Sequence, residues 1–233
     1  MNSPPRRFYK LAAATPERGV MLDQMRLRTP GGAVFCAPTA ALAEAVAGEW
    51  TAQGEAIVPG RMPLTQLAFA ALDWTPRSRQ QLVDYVSAYV ETDLCCHRAD
   101  SPAELIARQA AAWDPLVEWA SAAHGLSLPV VTGIIAAKLD PQTRARLAEH
   151  AAGLDDFALT APAHAAGFSG SVLIALPMLA RRLVPKSAFE AAALDALWSL
   201  ERWGEDAEAR AKLDSQRAEF ENISRFVEAL GTP

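Results

Sequence analysis

Residues 20–36 read VMLDQMRLRTPGGAVFC and carry the clearest indication of the fold. Three short segments, 20–22, 25–28 and 33–36, are separated by the turn-forming residues Asp23-Gln24 and Pro30-Gly31-Gly32. Segments this short, divided by turns this close together, predict a small antiparallel meander. One more short segment, residues 8–11, lies eight residues before this stretch, so a β-rich lobe is predicted at the start of the chain.

Helix signals replace this pattern from Thr39 onward. Thr39 suits the N-cap of a helix that runs to about Gln53, because Gly54 follows as an end signal. Thr75-Pro76 is interpreted in the same way, as the start of a helix that ends near Asp93. Further helix starts are predicted at Ser101-Pro102, Asp140-Pro141 and Ser187, with the corresponding ends near Gly125, Gly153 and Gly204.

The last helix completes the prediction of the fold class. Its apolar stripe consists of Leu213, Phe220, Ile223, Phe226 and Val227. The sequence therefore predicts an α+β fold, in which a small antiparallel β-rich N-terminal lobe precedes a larger, mostly helical domain. We expect the lobe, with one helix, in residues 1–58 and the helical domain in residues 59–233.

The composition is that of a soluble globular protein. Of 233 residues, 51% are hydrophobic and 21% are charged, which is enough to bury a core. The longest apolar run, residues 172–180, contains Pro177 and is too short to span a bilayer. Three cysteines at positions 36, 95 and 96 are no disulfide framework. The Ala-rich composition and the absence of a signal or transit peptide predict a bacterial, cytoplasmic protein.

The charge is unevenly distributed along the chain. A net charge of −5 argues against nucleic acid as the main partner, because binding phosphates requires a cationic face. Residues 1–30 carry six Lys/Arg against two Asp/Glu, whereas residues 186–233 carry six against ten. The acidic end is therefore a candidate docking surface for a basic partner, with a solvated helix face as the alternative.

Sequence motifs for catalysis are missing. There is no phosphate-binding Gly-x-x-x-x-Gly-Lys-Ser/Thr loop, and Ser169-Gly170-Ser171 has no preceding strand to make a nucleophile elbow. Cys95-Cys96-His97 cannot all face one metal ion on a regular helix, so buried thiols are favoured over a metal site. We expect no enzyme, no cofactor and no metal. A small-molecule enzyme that uses His97 or Asp155-Asp156 remains the less favoured alternative.

The tryptophans are numerous for a chain of this length, with six in all. Trp113 and Trp119 are six residues apart in one predicted helix, and packing in the core is the favoured interpretation. Trp203 lies at a helix end beside acidic residues. There it suits a core position and an interface anchor equally well.

Six short blocks stand in order along nearly the whole chain. They are Arg7-Phe8-Tyr9-Lys10 with residues 20–23 and 27–30; Glu49-Trp50 with Gln53-Gly54, Pro59 and Met62-Pro63-Leu64-Thr65; Thr92-Asp93-Leu94-Cys95-Cys96 with Arg98-Ala99; Gln109 with Trp113-Asp114-Pro115-Leu116 and Trp119; Ser169-Gly170-Ser171; and residues 203–208. Together they resemble the family of assembly factors for the F-one sector of ATP synthase that bind the alpha subunit. One departure is that Asp195 is followed by Ala196, where the family usually has two acidic residues.

The resemblance implies a chaperone rather than an enzyme. A free alpha subunit exposes the surface that later packs against beta, and such a surface tends to aggregate. The resemblance implies that this chain, as a monomer, covers that surface transiently and is displaced when beta arrives. An interface of roughly 1,600 Å² would be ordinary for such a complex. A general holdase or another helical interaction module is the alternative.

The acidic end is the candidate site for this partner. We expect Trp203, Glu205, Asp206 and Glu208, with Asp195 on the preceding helix, to contact basic residues of the alpha subunit. The alternative is that Trp203-Gly204 simply ends one helix and the acidic residues begin the next. Structural roles are expected for residues 62–65, Asp93 and residues 113–115.

Overall fold

An antiparallel meander begins the computed structural model, which describes residues 4–133, 138–204 and 206–231. Its strands are β1 (Ala12–Ala14), β2 (Val20–Leu22) and β3 (Met25–Arg26), hydrogen-bonded in that order. Leu22 lies opposite Ala12 on one side and Met25 on the other, so the β2–β3 turn falls at Asp23-Gln24, as predicted. The predicted meander is therefore confirmed.

Helices make up most of the remaining described chain. They are α1 (Ala40–Thr51), α2 (Pro63–Asp73), α3 (Arg79–Ala88), α4 (Ala103–His124), α5 (Pro141–Gly153), α6 (Asp156–Ser169), α7 (Val172–Leu179), α8 (Pro185–Ala192), α9 (Leu194–Trp203) and α10 (Ala207–Leu230). A short parallel pair, β4 (His97–Arg98) and β5 (Val131–Thr132), adds a second sheet. The fold is thus α+β, as the sequence predicts. The division at residues 58 and 59 stays a prediction.

The outer segments of the predicted meander are shorter than expected. The first strand begins at Ala12, because the backbone N–H groups of Lys10 and Leu11 bind the Asp23 carboxylate instead of a strand. Residues 33–36 contribute one bridge, between Val34 and Arg28, rather than a strand. The turn before this bridge is held by Asp73 at the end of α2, whose carboxylate accepts hydrogen bonds from Thr29 Oγ1 and Gly31 N at 2.6 and 2.7 Å.

Three predicted helix starts need correction. Thr75 does not open a helix: its side chain is buried and its hydroxyl lies 2.7 Å from that of Thr160, so α3 starts at Arg79. This helix ends at Ala88, before a single 3-10 turn (Tyr89–Glu91). Neither Ser101 nor Ser187 caps a helix, because α4 and α8 start at Ala103 and Pro185 without a side-chain cap. A proline beside the first turn fixes the backbone there without help from a serine.

Other predicted signals are confirmed. Thr39 and Asp140 cap α1 and α5 through bonds from Leu42 N and Gln142 N to their side chains. The apolar stripe of α10 is buried as expected. Its end also meets the start of α1, where Thr39 Oγ1 donates a hydrogen bond to the Ala229 carbonyl. The apolar core therefore includes residues from Tyr9 to Ala229.

Two buried carboxylates hold helix starts from a distance. Glu49 accepts hydrogen bonds from Leu64 N and Thr65 N, at 2.9 and 2.8 Å, and from Thr65 Oγ1. It thereby provides acceptors for the N–H groups in the first turn of α2, whose own N-cap, Met62, has no side-chain bond.

None of the helices in the described ranges combines the length and the apolar character that a membrane span needs.

Asp93 has the same role at α7 and is fully buried. Its carboxylate accepts hydrogen bonds from Val172 N and Leu173 N, at 2.7 and 3.2 Å. Ser171 Oγ at 2.7 Å and Cys95 N at 3.0 Å complete the set of donors. Removal from water nevertheless raises the pKa of Asp93 to about 6, from an ordinary value of 3.8.

This pKa predicts a particular pH dependence of stability. Between about pH 4 and 6 the folded carboxyl keeps a proton that the unfolded chain releases, so stability falls as pH rises through this window. An Asp93→Asn variant lacks this titration. We expect the unfolding free energy of the native chain, relative to that of the variant, to fall by about 2 kcal/mol from pH 4 to 7. Urea titrations at intermediate pH values test this, and parallel pH profiles for the two chains would contradict it.

Candidate functional site

The most exposed large apolar side chain among the described residues is that of Trp203, at 81% of its full accessibility. Trp203 is the last residue of α9, and Gly204 ends the helix with a φ of +95°. This left-handed region favours glycine, so the chain turns sharply directly after the indole. The helix end thus presents a tryptophan to solvent, as an interface anchor requires.

The acidic residues that follow have different roles. Asp206 is the N-cap of α10, and its Oδ1 accepts hydrogen bonds from Glu208 N and Ala209 N at 2.8 and 2.9 Å. Glu208 lies in the first turn of α10 and is exposed, where its charge also complements the helix dipole. Glu205 lies outside the described residues. We call Trp203, Asp206 and Glu208 the junction site.

Asp195 lies on α9, the helix that ends in Trp203, but it does not belong to the junction site. It lies in the first turn of α9, eight residues before Trp203, which is about 12 Å along the axis. Its carboxylate accepts a 2.8 Å hydrogen bond from the amide of Gln109, a buried residue of α4. The other end of this amide accepts from Ala99 N at 2.8 Å. Asp195 therefore connects α9 to α4 and to the segment before it.

A further contact between α4 and α9 escaped the sequence reasoning. Arg108 of α4 and Arg202 of α9 both place their guanidinium groups over the Trp198 ring, 4.6 and 4.7 Å from its centroid. Each also forms a 2.7 Å ion pair across the two helices, Arg108 with Glu201 and Arg202 with Glu104. Single exposed pairs contribute little stability, but this set fixes the orientation of the helix that ends in Trp203. The four-residue spacings of Glu104 and Arg108 on α4 and of Trp198 and Arg202 on α9 were visible signals within each helix, but the contacts between the helices were not.

An apolar groove runs beside this contact. It lies between α4, α8 and α9 and encloses about 350 Å³. Leu116, Leu194 and Leu197 are among its lining residues, and Glu201 lies on its edge, two positions before Trp203. The end of α9 therefore carries an exposed aromatic ring beside carboxylates, and another side of the same helix lines an apolar depression. Such a surface can bind a protein segment with apolar and basic side chains.

The residues of the alternative enzyme hypothesis have structural partners. Asp155 caps α6 by accepting a 2.8 Å hydrogen bond from Ala158 N, and Asp156 pairs with Arg79 at 2.5 Å. The Nδ1 atom of His97 lies 3.1 Å from the Gly133 carbonyl. These groups are held by separate local contacts and do not converge on one cleft, which a hydrolytic pair would require.

The cysteine cluster is also embedded in the fold. Cys95 and Cys96 lie in a 3-10 turn and are both buried, as expected. Burial, together with the nearby Asp93 carboxylate, raises the pKa of the Cys96 thiol to about 12 and that of Cys95 well above its ordinary value. The thiolate form that binds metals and attacks electrophiles is therefore disfavoured at both positions.

Comparison with known proteins gives consistent matches over the chain. Residues 6–121 match the model of the family described as ATP12 chaperone protein. The crystal structure of Atp12 from Paracoccus denitrificans is 34% identical, with a TM-score of 0.90, over 97% of this chain and 98% of that one. A mutant of the P. denitrificans protein gives the same identity and TM-score over 98% and 100% of the two chains. The Atu1473 protein of Agrobacterium tumefaciens is 32% identical, with a TM-score of 0.89, over 97% and 86%.

Proposed function

The chain belongs to the ATP12 chaperone family, and on this basis we propose that it is an assembly chaperone of the F-type ATP synthase. It binds the free alpha subunit of the catalytic sector and shields the beta-facing surface until the beta subunit displaces it. The observation that carries this proposal is the likeness to Atp12 along almost the full length of both chains. The protein acts in the bacterial cytoplasm as a monomer, without catalysis and without a cofactor.

The junction site is the proposed contact with the alpha subunit. Trp203 inserts into the partner as an apolar anchor, and Glu208, together with Glu205, pairs with basic side chains around it. The Asp206 carboxylate is occupied as a helix cap, so its contribution is to set the direction of α10. Asp195 contributes by holding α9 against α4 through Gln109. The proposed contacts around Trp203 are polar, so water can replace them when the complex dissociates. This suits a complex from which the beta subunit must later displace the chaperone.

Co-purification with the isolated alpha subunit tests the function. We expect the tagged chain to capture alpha, and added beta subunit to release it. An excess of an unrelated unfolded protein is the specificity control, and it should not compete. Competition by that protein would indicate a general holdase instead, and failure to capture alpha at all would refute the proposal.

Charge reversal at the junction tests the site separately. In a Glu205→Lys/Glu208→Lys variant, repulsion replaces two attractions, and we expect binding of alpha to weaken roughly tenfold or more. Asp206 is left unchanged because it caps α10. The matched control is Asp214→Lys/Glu221→Lys, which makes the same charge change at exposed positions further along α10. Equal affinities for the two variants, measured by titration calorimetry, would move the docking surface away from the junction.

A further inference from the structure

Three large apolar side chains remain exposed beside the β2–β3 turn. Phe8, Leu11 and Met25 are 59%, 62% and 52% accessible. Met25 is paired with Leu22 across this turn, and the Leu11 carbonyl accepts a 2.8 Å hydrogen bond from Asp23 N within it. Phe8 comes three residues earlier, with its ring edge-on to buried Tyr9. Because exposed apolar side chains cost free energy, three of them in one hairpin and the segment that leads into it call for an explanation.

Cations accompany these apolar side chains. Arg6, Lys10 and Arg26 are exposed, and their side chains form no hydrogen bond or ion pair with other described residues. The exposed Asp23 carboxylate accepts hydrogen bonds from the backbone N–H groups of Lys10 and Leu11, and its charge also acts on the nearby Lys10. We call Phe8, Leu11 and Met25, with Lys10 and Arg26, the hairpin patch.

The surrounding sequence reinforces the local charge. Residues 1–30 have six Lys/Arg and two Asp/Glu, a net charge of +4, while the whole chain has −5. The remaining 203 residues therefore carry −9. An anionic surface would attract the lobe and repel the rest of the molecule. The charge distribution thus favours a ligand with negative charge. It also favours an orientation in which the lobe faces that ligand and the rest of the molecule faces away.

We propose that the hairpin patch adsorbs reversibly to anionic lipid bilayers. Leu11, Met25 and Phe8 would enter the interfacial zone, and Lys10 and Arg26 would contact the anionic headgroups. A few apolar side chains bind a bilayer only marginally, and so do a few cations, but the two together give measurable adsorption. This inference concerns where the protein works and goes beyond the chaperone function proposed above.

The hairpin patch is an exposed turn rather than a groove, and a lipid surface suits it. Five grooves in the described part of the chain lie mainly between helices, and none of these five is lined by a residue of the hairpin patch. Protruding side chains on a tight turn are suited to a fluid surface, which adapts to them without a matching cavity.

Vesicle flotation with the full chain alone tests the proposal. We expect the protein to float with vesicles of phosphatidylglycerol mixed with phosphatidylcholine, but not with phosphatidylcholine alone, and to be released by high salt. Lys10→Glu/Arg26→Glu and Leu11→Ser/Met25→Ser should each weaken this partitioning roughly tenfold or more. The matched control, Lys186→Glu/Arg225→Glu, makes the same charge change at exposed positions elsewhere and should keep binding.

Several results would overturn the inference. Equal binding to both vesicle types, or no binding to either, would contradict it. So would an equal loss of vesicle binding in the control variant, because that would show a response to net charge alone. A protein patch would be revealed if Lys10→Glu/Arg26→Glu lost capture of the alpha subunit while vesicle binding was unchanged. Thermal melts should show that all variants fold, since the substituted side chains are exposed. The vesicle assay contains no ATP synthase subunit, so its outcome is independent of the chaperone proposal.

Discussion

Replacing Asp93 by alanine is expected to lower the free energy of unfolding by about 3–5 kcal/mol. The carboxylate is the acceptor for four donors, Ser171 Oγ and the backbone N–H groups of Val172, Leu173 and Cys95. Each buried donor left without an acceptor costs about 1–3 kcal/mol. Part of this cost is offset, because the substitution also removes a carboxyl group whose ionisation is opposed by burial. The net loss of stability is still large, because the site is buried and water cannot reach the four donors to replace the carboxylate.

Asp155→Ala is the matched control for this variant. Asp155 also caps a helix, α6, but it is exposed, and water can satisfy the Ala158 N–H that it now binds at 2.8 Å. The expected loss is about 1 kcal/mol. Urea denaturation of both variants at pH 7 measures the difference. Similar losses would mean that the four donors find other acceptors, and that Asp93 is an ordinary cap.

The second large effect is expected on binding rather than on stability. Trp203→Ala should weaken the complex with the alpha subunit roughly thirtyfold or more, as truncation of a central tryptophan anchor typically does. The midpoint of thermal unfolding should not change, because the indole is 81% exposed and leaves no cavity in the core. Titration calorimetry with alpha, combined with a thermal melt, measures both quantities.

Trp74→Ala provides a comparison with the same chemical change. Trp74 directly follows α2 and is 53% exposed, on a groove between α2, α3 and α6. If the junction site holds the alpha subunit, this variant should bind with native affinity. If Trp74→Ala weakened binding and Trp203→Ala did not, the alpha subunit would bind at that groove. If neither variant changed binding, both tryptophans would be excluded as anchors.

Local signals in the sequence predicted local structure well. The turn at Asp23-Gln24, the caps at Thr39 and Asp140 and the buried stripe of α10 each depend on residues close together in the chain. Thr75 misled the prediction because its hydroxyl is bound by Thr160, 85 residues away. A capping pattern shows that a residue suits a helix start, but it does not show which distant group competes for the side chain.

The long-range polar contacts were beyond the reach of these patterns. Asp93 was expected to be structural, but its bond to Val172, 79 residues later, depends on how the helices pack. The candidate site divides in the same way. The helix end at Trp203-Gly204 could be anticipated from the sequence, but the exposure of Trp203 could not, since a core position suited it equally well. The spacing of Trp198 and Arg202, four residues apart on α9, could suggest their stacking. The stacking of Arg108 on Trp198 could not be anticipated, because it requires α4 and α9 to lie side by side.

The meeting of α1 and α10 has a consequence for biosynthesis. Thr39 donates to the Ala229 carbonyl, 190 residues later, and Phe220, Ile223 and Phe226 of α10 are core residues. During translation the early part of the chain emerges without these partners, so its apolar surface stays uncovered until the last helix leaves the ribosome. A chaperone that protects another protein from aggregation would thus itself be prone to aggregate while its synthesis is incomplete. A chain that terminates before α10 should therefore be insoluble.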